Sequence, residues 1–142
     1  MAEIQHLLYI NALPSKVYEA ITEESGLKMW WTYDTRAISE EGAILEFNFG
    51  DRYHNEMKVV KLRPNQKVEW ICLDGDSEWI DTTFAFNLNP DQNDTILRFT
   101  HGNWRNSTDF FASCNYQWGY YLRSLKLYCE TGKGTPFTEE SS

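Results

Sequence analysis

Residues 107–136 read STDFFASCNYQWGYYLRSLKLYCETGKGTP, and this stretch decides the fold. Phe111, Cys114, Trp118, Leu122 (or Tyr121), Leu125 and Cys129 recur at spacings of three and four, which draws one apolar stripe along a helix. Ser107 or Thr108 offers a hydroxyl to cap its start. Gly132 and Gly134 end it, and Pro136 forbids its continuation. Roughly 24 residues at ~1.5 Å each make a rod of about 36 Å. A helix that long with one apolar face needs a broad surface to lie on.

The residues before it supply that surface. Over residues 35–101 the period is two. Leu45, Phe47 and Phe49 alternate with Glu46 and Asn48, and Met57 and Val59 lie on one face of a segment whose doubled Val59-Val60 predicts a bulge. Arg63-Pro64-Asn65-Gln66 turns the chain. Val68, Trp70 and Cys72 share a face of the next strand, closed by Asp74-Gly75, and Phe84, Phe86 and Leu88 alternate again. Residues 89–94 form a turn. Leu97, Phe99 and His101 then lie on one face, opposite Ile96, Arg98 and Thr100. Short alternating strands with brief turns indicate an antiparallel meander covered on one face. Six or seven strands at ~4.8 Å make a sheet about 30 Å wide, which the helix can cross.

The N-terminal part completes the plan. Residues 3–12 read as a strand that Leu13-Pro14-Ser15 stops, with Ser15 as N-cap and Glu19 in reach of a capping role. Val17, Ala20 and Ile21 give a short helix an apolar side as far as Thr22. A second short helix spans residues 24–30. Two such helices bury little alone, so they are expected to plug one end of the sheet. The result is one domain over residues 1–137. Residues 135–142 read as a frayed tail, disordered over 138–142.

Charge narrows the partners. Thirteen Lys and Arg against twenty-one Asp and Glu give a net charge of −8, which repels phosphate backbones and anionic lipid headgroups. No basic run reverses that sign locally, so neither nucleic acid nor membrane is an expected partner. No secretory signal opens the sequence, and no apolar stretch approaches the ~20 residues of a membrane span. Cys72, Cys114 and Cys129 lack CxxC spacing and read as buried thiols, which fits a cytoplasmic protein.

Four segments carry a family resemblance. They are LPSKVYEAIT (residues 13–22), LKMWW (residues 27–31), TILRFTH (residues 95–101) and WGYYLRSLKLYCETG (residues 118–132). In that order the chain resembles the START-like (SRPBCC, birch-pollen-allergen-like) superfamily. Within it, the chain is similar to the family named for activators of heat shock protein 90 ATPase. The resemblance implies an α+β helix-grip fold: a bent antiparallel sheet of six to seven strands, two short helices and one long C-terminal helix. It also implies hydrophobic ligand binding between sheet and helix, or a stress-related interaction with a protein partner such as a chaperone. The family's co-chaperones carry this domain behind a separate N-terminal domain that engages the chaperone. This sequence opens at the START-like strand, so ATPase activation is not the expected activity.

Catalytic motifs are sparse. His6, His54 and His101 are scattered without HxH or HExxH spacing, and a zinc site needs three or four converging ligands. Neither metal nor cofactor is expected. The nucleophile elbow, the P-loop and GxGxxG do not occur. Asp74, Asp76 and Glu78 read as a solvated loop. Trp30 and Trp31 point about 100° apart, so one packs while the other faces a pocket or solvent.

A bent sheet touches a straight helix well in one place and stands away elsewhere, so the aromatic wealth (15% of residues) either fills that gap or lines it. The expected ligand-binding set is Trp31, Phe47, Phe49, Met57, Trp70, Phe84, Phe86, Phe99, His101, Cys114, Trp118 and Tyr121. Trp118 and Phe99 are expected on opposite walls. The leading expectation is non-enzymatic binding of a small hydrophobic or aromatic molecule. The alternatives are a protein-interaction module and, third, a START-like enzyme.

Overall fold

The computed structural model describes residues 1–139. It opens with β1 (Ala2–Ile10), then two short helices, α1 (Pro14–Thr22) and α2 (Glu24–Trp30). Proline takes the first turn of α1, where its missing N–H leaves nothing unpaired. That displaces the start of the helix by one residue: Leu13 precedes it, Ser15 is already helical, and no side chain caps it, against the expectation for Ser15 and Glu19. Gly26 lets α2 close onto α1, since a Cβ there would come within 2.7 Å of the Ala20 Cα.

Six further strands follow: β2 (Asp34–Arg36), β3 (Ile44–Phe49), β4 (Tyr53–Arg63), β5 (Lys67–Asp74), β6 (Thr83–Asp91) and β7 (Asp94–Trp104). With β1 they form one seven-stranded antiparallel sheet in the order β1-β7-β6-β5-β4-β3-β2. β2 has three residues, too few to show a period. The bulge lies at the doubled valine, where pairing skips from Val59 to Lys61 and leaves Val60 exposed. The turn between β6 and β7 is tighter than residues 89–94. Both strands run on to Asp91 and Asp94, and Gln92 takes a left-handed φ of 59°.

α3 (Asp109–Thr131) closes the domain. Of the two candidate caps, Thr108 acts: its hydroxyl accepts from the Phe111 N–H at 3.1 Å. Gly132 ends the helix in the left-handed region at φ 86°. Cys114, Trp118, Leu122, Leu125 and Cys129 are buried along one stripe, with Leu122 rather than Tyr121 at its centre. The closest approaches of α3 are to β1, α1 and α2. Over the rest of the sheet, large rings including Trp31, Trp70, Phe84 and Trp118 span the gap.

The segment after α3 folds back, contrary to the frayed tail expected from residue 135. The Ser124 hydroxyl donates to the Trp30 carbonyl at 2.8 Å and accepts from the Thr135 N–H at 2.7 Å. Gly134 fits between them, since a Cβ would lie 2.5 Å from the Met29 carbonyl oxygen. Phe137 then bridges to Thr32, donating its N–H to Trp31 and accepting from the Tyr33 N–H. Glu139 accepts from the Tyr33 hydroxyl at 2.9 Å. The rest of the expected disordered tail, residues 140–142, lies outside the described residues.

Candidate functional site

The core holds a relay of buried polar groups inside an aromatic cluster. The Trp118 indole N–H donates to Nδ1 of His101 at 3.0 Å. An accepting Nδ1 leaves the ring proton on Nε2, which lies 2.8 Å from the Thr82 hydroxyl and donates to it. Thr82 in turn donates to the Trp79 carbonyl at 2.6 Å. Phe84 stacks on the imidazole at 4.1 Å between centroids, and Trp79 and Trp104 cover its other sides. Burial without a counter-charge lowers the His101 pKa to about 3. This histidine is a neutral structural fixture with both nitrogens engaged.

Beside this core lies a cavity of about 410 Å³. It is open on one side and is bordered by the β3–β4 hairpin (Phe49, Arg52, Tyr53, Asn55), the loop before β6 (Asp76, Trp79), the first half of α3, and the returning C-terminal segment through Phe137. Trp31 reaches it from the end of α2. α3 contributes Phe110, Ser113, Cys114, Gln117, Trp118 and Tyr121 at helical spacing. Rings dominate the walls, with Trp31 5.2 Å from Trp118 and 5.5 Å from Phe49 between centroids.

Of the expected binding residues, Trp31, Phe49, Cys114, Trp118 and Tyr121 line this cavity. Phe47, Met57, Trp70, Phe84, Phe86, Phe99 and His101 lie in the sealed core and do not reach it. The reason is ring stacking. Trp31 covers Phe47 at 4.4 Å and Trp70 at 6.1 Å, so those rings fill the sheet side. Phe99 lies 4.4 Å behind Trp118 rather than across from it. In the tryptophan pair, Trp30 is the packed one, its N–H bonded to the Ala20 carbonyl at 2.8 Å.

Sequence reasoning missed Arg52, Tyr53, Asn55, Asp76, Trp79, Phe110, Ser113, Gln117 and Phe137. Asn55 carried a signal, because the parity that turns Met57 and Val59 inward turns it inward too. The acidic loop is more structured than a solvated one. The Asp76 carboxylate accepts from the Glu78 N–H, and Glu78 accepts from the Thr108 hydroxyl at 2.6 Å. This fold of the loop turns Trp79 into the cavity wall.

Electrostatics at the cavity suit a neutral environment. Burial pushes the Cys114 thiol up to about 11, an effect the nearby Trp79 indole offsets and the Asp76 and Glu78 carboxylates reinforce. The Trp79 N–H faces that sulfur without reaching hydrogen-bond geometry and stays unpaired, as does the Trp104 N–H. Burial, then Tyr120, raises the Tyr121 hydroxyl to about 12. Both groups are protonated at neutral pH, so neither is a ready nucleophile or base.

One further cluster arises from strand register. His54, Glu56 and Asp74 bring their ligand atoms within 4.8 Å of one another, a convergence that sequence spacing did not show. Parity places His54 and Glu56 opposite Asn55, away from the cavity. His54 is already engaged by Asn48 and Glu56. Among the described residues no helix is long and apolar enough to cross a membrane.

Comparison with known proteins agrees with this architecture. The family described as Activator of Hsp90 ATPase homolog 1-like protein matches residues 11–130. The solution structure of the Aha1 dimer from Colwellia psychrerythraea is 41% identical, with a TM-score of 0.86 over 94% of this chain and 100% of that one. Protein MLL2253 from Mesorhizobium loti shares the fold at 16% identity, TM-score 0.79, over 88% of this chain and 94% of its own. CalU16 from Micromonospora echinospora does so at 14% identity, TM-score 0.73, over 98% and 78%. No curated protein matches the sequence.

Proposed function

We propose, of a chain that belongs to the family of Activator of Hsp90 ATPase homolog 1-like proteins, that its cavity binds a small, largely aromatic molecule without transforming it. The observation that carries this reading is the cavity's size and walls. About 410 Å³ lies within the usual range of small-molecule sites, and Trp31, Phe49, Trp118 and Tyr121 present ring surfaces to it. The chemistry of the walls supports binding over catalysis. The buried imidazole is neutral, fully bonded and outside the cavity, and the cavity's thiol and phenol are protonated. Titration of the ¹⁵N-labelled protein with N-phenyl-1-naphthylamine, a neutral aromatic probe, tests the reading. It predicts saturable shifts of the Trp31 and Trp118 indole resonances; shifts confined to other surfaces would contradict it.

A second reading, a surface for a protein partner, is favoured by Tyr116 and Tyr120. They lie one turn apart on α3 and are 77% and 51% exposed. The similar Colwellia protein is described as a dimer. Sedimentation of the wild type and of a Tyr116→Ser, Tyr120→Ser variant tests this. A dimer that the double variant disrupts supports it, and a monomeric wild type removes self-association from it.

A further inference from the structure

Resting on the cavity reading above, we propose that the bound molecule carries a hydrogen-bond-accepting oxygen, of the aromatic ketone, amide or ester class, and that the Asn55 amide donates to it. Asn55 lies on the inward face of β4, is 4% exposed, and lines the cavity. Its side chain makes no hydrogen bond to any described residue. Nor are its amide atoms sealed in, since the sealed, unpaired side-chain atoms among the described residues are the indole nitrogens of Trp79 and Trp104. An amide with no protein partner that opens on the cavity is left to pair with whatever occupies it, so a ligand oxygen can take that place.

The geometry selects the donor end. A Cβ at Gly75 would lie 2.5 Å from Asn55 Oδ1, so the oxygen rests against Gly75 and Nδ2 is the end left to donate. The other polar wall groups have other partners. Arg52, Ser113 and Gln117 are exposed to water, and the Asp76 carboxylate holds the Glu78 N–H. Charge selects a neutral acceptor. Arg52 and Asp76 border the same cavity with opposite signs, and the net charge of −8 works against a carboxylate.

Indan-1-one and indane share one bicyclic skeleton and differ by the carbonyl, so they isolate this bond. Each is titrated into the ¹⁵N-labelled full chain, with the Asn55 side-chain amide pair assigned in the wild type by triple-resonance spectra of ¹³C,¹⁵N-labelled protein. The ketone is expected to bind about tenfold more tightly than the hydrocarbon, the ratio one good hydrogen bond supplies. It should also move the Asn55 amide protons downfield, while indane leaves them in place. In Asn55→Leu the two affinities should converge. Should that variant not fold, the amide shift in the wild type decides alone. Equal affinities with an unmoved Asn55 amide overturn the proposal while leaving the cavity reading intact. Failure of both compounds to shift Trp31 and Trp118 overturns the cavity reading itself.

Discussion

The indole N–H of Trp118, on the helix, donates to Nδ1 of His101, on the last strand, across 3.0 Å of closed core. That bond orders the site. It fixes the imidazole tautomer, ties α3 to β7, and holds one ring face of Trp118 on the cavity wall while Phe99 supports it from behind. A polar pair at this depth is stable because every atom in the relay, as far as the Trp79 carbonyl, has a partner.

The first prediction follows from the depressed His101 pKa. Unfolded, this group titrates near 6.5; folded, near 3. Between those values the unfolded state binds more protons, so the contribution of the neutral imidazole is fully present above about pH 6.5 and is lost as pH falls toward 3. The loss should approach about 1.4 kcal/mol per pH unit. Urea titrations of wild type and His101→Phe between pH 7 and 4.5 read it directly. The variant should be less stable at neutral pH, with a slope shallower by about one proton. Parallel slopes would show that His101 takes up its proton while folded.

Leu125 lies within the α3 stripe, next to its central Leu122, and is fully buried, whereas Arg123 is exposed on the same turn. Leu125→Ala should destabilise by roughly 2–5 kcal/mol and Arg123→Ala by no more than about 0.5 kcal/mol. Denaturant midpoints of the two variants check this. Equal effects would assign the wrong face of the helix to the core.

Ser124 joins three segments, with its hydroxyl between the Trp30 carbonyl and the Thr135 N–H. Ser124→Ala leaves both groups unpaired and should cost about 1–3 kcal/mol. It should also loosen the return of the chain to Phe137, so amide exchange should accelerate at Phe137 and Tyr33. Unchanged exchange there would mean that the bridge to Thr32 holds the segment alone.

Much of the scaffold was legible because its periods are long and regular. The stripe through Trp118 and Leu125 and the alternation through Phe84, Phe86, Leu97 and Phe99 point to the observed faces. Val59-Val60 marks the observed bulge. β2 was invisible because three residues show no period. Pro14 was read as a stop, although it is also the start of α1. At the cavity the local patterns ran out. Inward parity says that Phe47, Phe99 and Phe49 share a side of the sheet, but not that Trp31 and Trp118 seal the first two and leave Phe49 open. Trp79 and Phe137 reach the wall from segments that read as a solvated loop and a tail. The local Asp76 turn and the Glu78–Thr108 bond bring Trp79 there, and Ser124 together with the backbone pairing to Trp31 and Tyr33 brings Phe137.

A side chain that fills the cavity should abolish binding there. Cys114 is the small residue one turn before Trp118 and lines the cavity. The measurement is the fluorescence titration of N-phenyl-1-naphthylamine into wild type and Cys114→Trp, with circular dichroism to establish that the variant is folded. The wild type should bind one probe per chain with saturation, and the folded variant should bind it at least about tenfold more weakly. A folded Cys114→Trp protein that binds the probe as tightly as the wild type would contradict the account.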